Sequence, residues 1–229
     1  MKLIGLIGGI SWISTVDYYT YINKGVNEQL GGLNAGNFII HSVNYADIVK
    51  NNESGNWDAT LELITKASLN LKLSGAEAIV LCANTMHMIA DDLQKNIGIP
   101  VIHIAEATAA EIKKQEISKV GLLGTKFTME RDFFTNKLAD QGITALIPDE
   151  DERAFIHETI GNELGKGIFK PETKAYYLHV MRKLIEQGAE GIILGCTEIP
   201  MLIKPGDIDI PLFDTTLIHS KAAVEFMLG

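Results

Sequence analysis

A repeat within the chain constrains its fold more than any other feature. Ser118-Lys119-Val120-Gly121-Leu122-Leu123-Gly124-Thr125 echoes Met1-Lys2-Leu3-Ile4-Gly5-Leu6-Ile7-Gly8. Gly188-Ala189-Glu190-Gly191-Ile192-Ile193-Leu194-Gly195-Cys196-Thr197-Glu198 echoes Gly75-Ala76-Glu77-Ala78-Ile79-Val80-Leu81-Cys82-Ala83-Asn84-Thr85, and Ile210-Pro211-Leu212-Phe213 echoes Ile99-Pro100-Val101-Ile102. A period of roughly 110 residues is far longer than a solenoid repeat. The chain reads instead as two similar halves, each a folding unit of its own.

Within each half, short apolar runs bounded by glycine, as in Ile192-Ile193-Leu194, suit strands covered on both faces. Strands are expected over 2–8, 37–43, 77–82 and 100–104, then over 118–125, 143–147, within the stretch 188–198 ahead of Cys196, and over 210–213. Between them apolar residues fall at helical spacing (Tyr18, Tyr19, Ile22; Leu61, Ile64, Leu69), and glycine closes the helices at Gly31-Gly32 and Gly75. Helices are expected to about residue 30, over 58–73, 85–95, 128–141, 151–164, 171–188 and 216–228, with 44–56 a polar loop carrying a turn of helix. Such alternation predicts an α/β fold with parallel sheets flanked by helices and right-handed crossovers. The expected division is 1–103 plus 213–229 for the first domain and 104–212 for the second, related by a pseudo-twofold axis. Ligands of open α/β sheets bind outside the carboxyl ends of the strands. The expected active site therefore lies between the two domains.

Several function classes are disfavoured. The net charge is −9 and the arginines are Arg131, Arg153 and Arg182 alone, which argues against nucleic acid. No apolar run approaches the roughly 18 residues of a membrane span, and the apolar start lacks a signal-peptide cleavage site, so a cytoplasmic protein is expected. Cys82 and Cys196 lie far apart and predict no structural disulfide. The histidines are scattered without ligand spacing, so no metal is expected.

The chemistry gathers at the two cysteines. Cys196 follows a buried strand and precedes Thr197, Glu198 and Pro200, which suit a helix start. At the positive end of a helix, beside backbone amides, a cysteine is expected to favour the thiolate and an anion to bind. Two thiols on opposite sides of one small ligand suit a two-base reaction: one takes a proton from carbon and the other returns one to the opposite face. Several neighbours carry expectations as well. Ser14 is read as a helix cap, Trp12 as a packing residue, Ser11 as lining the site, and Glu198 as a first-turn capping carboxylate. Gly8-Gly9 reads as a tight turn.

Gly8-Gly9-Ile10-Ser11-Trp12 with Ser14-Thr15, Asn84-Thr85-Met86-His87, Gly124-Thr125 with Thr128-Met129, and Gly195-Cys196-Thr197-Glu198 together resemble the aspartate/glutamate racemase family of pyridoxal-phosphate-independent amino-acid racemases. The resemblance runs over essentially the full length. It implies two α/β domains, a cofactor-independent inversion at Cα, catalytic thiols (Cys196 and Cys82), a small amino-acid substrate and a possible homodimer. It implies substrate binding by Ser11, Asn52, Ala83, Asn84, Thr85, Thr125, Lys166 and Thr197. The chain also departs from the family pattern. The family's first cysteine directly precedes Asn-Thr, where this chain has Ala83, and the internal repeat sets Cys196 against Ala83 and Cys82 against Gly195. Successive strand side chains face opposite ways. No arginine follows the second strand to hold a side-chain carboxylate, and Lys166 stands about one residue from the matching place. Two alternatives accompany the racemase: a single-cysteine decarboxylase or cis–trans isomerase of small carboxylic acids, and a non-catalytic amino-acid-binding protein.

Overall fold

The computed structural model describes residues 1–229, the side chain of Glu53 excepted. The chain packs as two units, Met1–His103 with His219–Gly229, and Ile104–Ile218. In unit 1 the strands are β1 (Ile4–Gly8), β2 (Phe38–Ser42), β3 (Ala78–Leu81) and β4 (Val101–Ile102); in unit 2 they are β5 (Lys119–Gly124), β6 (Thr144–Leu146), β7 (Gly191–Gly195) and β8 (Leu212–Asp214). The strand orders are β2-β1-β3-β4 and β6-β5-β7-β8, and every pairing is parallel. The repeat in the sequence is thus a repeat of topology.

The helices of unit 1 are α1 (Trp12–Leu30), α2 (Tyr45–Glu53), α3 (Trp57–Leu73) and α4 (Ala90–Ile97), the last preceded by a 3-10 turn at Thr85–Ile89. Unit 2 begins with α5 (Ile104–Lys113) and continues with α6 (Lys126–Glu130), α7 (Asp132–Ala139), α8 (Glu150–Asn162), α9 (Pro171–Glu186) and α10 (Ile199–Leu202). The final helix, α11 (Thr215–Leu228), begins in unit 2 and ends in unit 1.

Alternation along the strands explains the two faces of the first sheet. Ile4, Leu6, Val80 and Cys82 pack with Tyr18, Ile22 and Val26 of α1 and with Val224 and Met227 of α11. Ile7, Ile79 and Leu81 pack on the other side with Ile64 and Leu71 of α3 and Leu93 of α4. The return to unit 1 at His219, rather than near residue 213, follows from burial. Phe213 and Ile218 lie in the core of unit 2, whereas Ala223, Val224 and Met227 fill the core of unit 1.

Several expectations about the elements change. Residues 45–53 form a full helix rather than a loop with one turn, anchored by the fully buried Ile48. Residues 104–113, of which Ile104 alone carries an expectation, as a strand end, form α5, whose Ile104, Ala105, Thr108, Ala109 and Ile112 are buried at helical spacing. The helix expected over 128–141 is two, broken where Arg131 turns to extended backbone (ψ 148°).

Candidate active site

In each unit the parallel strands deliver their carboxyl ends to one edge of the sheet, and the predicted residues follow those ends. Ser11 follows β1 and Ala83, Asn84 and Thr85 follow β3; Thr125 follows β5, and Cys196 and Thr197 follow β7. Asn52 lies on α2, and Lys166 is exposed in the 3-10 turn Leu164–Lys166 after α8.

Glycine makes the strand ends close. Gly124 of β5 is paired with Gly195 of β7. A Cβ on Gly124 would meet the Gly195 carbonyl oxygen at 2.8 Å, and one on Gly195 would meet the Leu123 carbonyl oxygen at 2.7 Å. No real Cβ sits so near backbone, so the pair must be Gly-Gly. Register then sets the residues after it, Thr125 and Cys196, side by side. Thr125 caps α6, its Oγ1 accepting from the Thr128 amide at 3.3 Å.

The β1 end is built the same way. A Cβ on Gly8 would meet Thr15 Cγ2 at 2.5 Å, as one on Gly124 would meet Thr128 at 3.1 Å. Gly9 turns with φ +84°, its amide donating to Thr15 Oγ1 at 2.9 Å. Ser11 then takes φ +64°, a left-handed conformation that costs a non-glycine residue about 1–3 kcal/mol and gathers at functional sites. Its carbonyl accepts from Ser14 Oγ at 2.9 Å and from Thr15 Oγ1 at 3.2 Å. Ser14 is not the helix cap that its position indicates. It is buried inside α1 and donates also to the Cys82 carbonyl at 3.0 Å, so it ties β3 to the β1 turn. Trp12, expected to pack, is 71% exposed at the start of α1.

Register also decides what the two cysteines are. Ile7 pairs with Leu81 as Leu123 pairs with Leu194, so Cys82 stands at the position of Gly195 and Ala83 at that of Cys196. Cys82 is fully buried among Leu6, Tyr18 and Val80. Burial drives its thiol pKa far above the ordinary range. Ala83 is half-buried and packs on the opposite face of the sheet.

Cys196 is in a different environment. It is 7% exposed, and its Sγ donates to Glu198 Oε2 at 2.9 Å; Thr197 Oγ1 donates to the same oxygen at 2.7 Å. Burial first, and the Glu198 charge second, hold the Cys196 pKa well above its usual value. The expectation of a thiolate at a helix start is therefore corrected. The helix α10 begins only at Ile199 and has four residues, too short a dipole to outweigh burial beside a carboxylate. Glu198 is not a capping side chain either: it makes no cap bond to α10 and turns back to Cys196 and Thr197. The sequence places Glu198 two residues after Cys196 but does not show which way its carboxylate turns.

The remaining predicted residues vary in setting. Asn52 is turned toward α3, its Oδ1 accepting from Thr60 Oγ1 at 2.9 Å. Asn84 is buried and Thr85 half-buried at the β3 end. His87 packs inward against His103 and His219, at ring separations of 4.8 and 5.2 Å, its Nδ1 bonded to the Ala83 carbonyl at 3.1 Å. Among the described residues no group of three or more His, Cys, Asp or Glu side chains could hold a metal ion, and no helix is long and apolar enough to cross a membrane.

Comparison with known proteins places this arrangement. The profile of the Asp/Glu/Hydantoin racemase family matches residues 7–223. The chain is 25% identical to the broad specificity amino-acid racemase RacX of Bacillus subtilis over 175 residues, 75% of this chain and 74% of that protein. A crystal structure from Yersinia pestis, described as a candidate Asp/Glu racemase, shares 45% identity and a TM-score of 0.95, with 100% of each chain covered. An aspartate racemase homologue from Pyrococcus horikoshii shares 35% identity and a TM-score of 0.88, again with 100% of each chain covered. Relatives with an assigned activity are named as amino-acid racemases, which are isomerases, and this chain belongs to the Asp/Glu/Hydantoin racemase family.

Proposed function

We propose that the protein is a cofactor-independent amino-acid racemase that inverts Cα by proton transfer through Cys196. The observation that carries the reading is the Cys196–Glu198 contact. A thiol hydrogen-bonded to a carboxylate, at the carboxyl end of a central strand, is a group that can give up and take back a proton. Family membership supplies the substrate class, and action in the cytoplasm, without PLP and as a homodimer belongs to the same reading.

In this reading the second proton donor is neither Cys82, whose sulfur is fully buried among Leu6, Tyr18 and Val80, nor Ala83, which has no proton to give. Ser11 and Thr85 are proton-bearing side chains at strand ends of unit 1 with partial exposure. In this reading they, Asn52, Ala83, Asn84, Thr125, Lys166 and Thr197 line the substrate, Lys166 being the cation among them. The test is Cα–H exchange into heavy water for a panel of L- and D-amino acids. Deuterium uptake with loss of configuration supports a racemase. A panel that shows no exchange at all ends this reading.

A second reading rests on the same single thiol. With Ala83 opposite Cys196 in the repeat, one base could decarboxylate or isomerise a small carboxylic acid. Exchange with retained configuration, or turnover of a malonate- or maleate-like acid, marks that activity.

A further inference from the structure

Three histidines of unit 1 lie together at the ends of β3 and β4, His87 being 2% exposed, His103 6% and His219 0%. The His87 ring stands 4.8 Å from that of His103 and 5.2 Å from that of His219. Their partners fix their protons. A carbonyl oxygen only accepts, so His219 Nε2 carries the hydrogen given to the Ile102 carbonyl, and its bare Nδ1 accepts from the Tyr18 hydroxyl. With both nitrogens taken, His219 has none left for a metal. By the same rule His87 Nδ1 carries a hydrogen and donates it to the Ala83 carbonyl at 3.1 Å. Burial keeps the His87 ring neutral, and a neutral ring has one hydrogen. The Ile102 carbonyl also lies near that ring but is taken by His219. His87 Nε2 is therefore a bare acceptor, buried without a partner.

A buried acceptor without a donor costs stability, and an apolar side chain would fill the same space without that cost. Packing alone therefore does not account for a histidine here. What the histidine adds is the Nδ1–H on Ala83. The preceding carbonyl, of Cys82, is held in turn by Ser14 Oγ at 3.0 Å. Side chains thus pin two successive peptide planes where the chain leaves β3. Both peptides are trans, so each fixed C=O sends the N–H that follows it the opposite way. Building on the racemase reading, in which Asn84 and Thr85 bind the substrate, we infer that His87 is a positioning residue for that strand end. Its Nδ1–H holds the Ala83–Asn84 peptide and sets the direction in which Asn84 and Thr85 leave β3. The His103 and His219 rings keep the His87 ring in place, and His219 is itself fastened by Tyr18 and Ile102.

The experiment compares the full chain with its His87→Leu, His87→Asn and His87→Gln variants. Two quantities are read: backbone amide exchange by segment, and KM and kcat on the panel amino acid that the parent racemises fastest. Asparagine puts its side-chain N–H on the atom next to Cγ, where Nδ1 stands; glutamine carries it one bond further out. His87→Leu should speed amide exchange at 83–87 by about tenfold or more and leave the rest of unit 1 unchanged. It should raise KM on the order of tenfold with kcat within about threefold, because Cys196 is untouched. Its thermal midpoint should stay within about 4 °C of the parent, since one unpartnered acceptor replaces another. His87→Asn should restore both slow exchange and KM. Parent-like exchange at 83–87 in His87→Leu, or equal KM values for the leucine and asparagine variants, overturns the inference. Loosening throughout unit 1 with a lower midpoint would make His87 a core residue and overturn it as well. Should the leucine variant fold poorly, asparagine against glutamine decides, and identical behaviour of those two overturns it. A parent without Cα–H exchange removes the racemase reading, whereas local loosening in His87→Leu that His87→Asn reverses keeps the positioning role.

Discussion

His219 Nδ1 lies 2.7 Å from the Tyr18 hydroxyl, while His219 Nε2 lies 2.7 Å from the Ile102 carbonyl oxygen. The two contacts fasten the C-terminal helix to α1 and to the end of β4. His87 packs against the same ring at 5.2 Å. Burial, and then a neighbouring histidine, lower the pKa of His87 and of His219 to about 3. In the unfolded chain both titrate near 6.5. The unfolded state therefore binds more protons between these values. The stability is fully present above pH 6.5 and is lost as pH falls toward 3. At about 1.4 kcal/mol per pKa unit, each group contributes up to about 2 kcal/mol less at pH 5. Urea midpoints for unfolding of unit 1 should fall between pH 7 and pH 5. An unchanged midpoint would show that the rings already carry charge in the native state.

The two cysteines should behave oppositely. Cys196→Ser should lower racemisation by a factor of about 1,000 or more, since a serine hydroxyl is a far weaker acid and nucleophile than a thiol. Cys82→Ala removes a fully buried sulfur from among Leu6, Tyr18 and Val80. It should cost stability on the order of 1 kcal/mol through the small cavity left and leave kcat within a few fold. Paired kinetics and thermal melts decide the matter. Equal losses of activity in both variants would return Cys82 to the site.

The repeat makes Ala83 the counterpart of Cys196, so restoring a proton-bearing group there should help. Ala83→Thr should preserve or raise racemisation, and Ala83→Cys should raise it further by providing a second thiol. The informative readout is the solvent-deuterium content of the product formed from each enantiomer. Loss of activity in both variants, with substrate still bound, would mean that this strand end only shapes the pocket.

How much of this was legible in the sequence depends on what each feature requires. The strands and the doubled topology could be read because Gly8, Gly124 and Gly195 mark close approaches that only glycine tolerates, and because the apolar runs are buried on both faces. The α2 helix could not, since its second half is polar and one fully buried side chain, Ile48, anchors it. The α5 helix was hidden behind the apolar run of β4, which continues into Ile104. At the site, the exchange of Cys82 for Gly195 was visible in the repeat and is fixed by register. The Cys196–Glu198 contact was not, because it depends on a carboxylate turning backward from the start of α10, and a sequence shows no side-chain direction.

Two glycines of unit 2 make a matched test of the packing argument. Gly195→Ala would drive a Cβ to 2.7 Å from the Leu123 carbonyl and 3.1 Å from Thr128 Cγ2. Backbone atoms cannot yield as a flexible side chain can, so β5 and β7 must part at the point where they carry Thr125 and Cys196. The cost should be about 1–3 kcal/mol, with activity falling along with stability. Gly161, on the exposed side of α8, has nothing within 4 Å of where its Cβ would stand and no left-handed φ. Gly161→Ala should stabilise by about 0.5–1 kcal/mol, chiefly by restricting the unfolded chain and favouring the helix. Activity should not change. Denaturant titrations of the two variants against the parent separate these signs, and a neutral Gly195→Ala would mean that the strand ends relax more freely than their register implies.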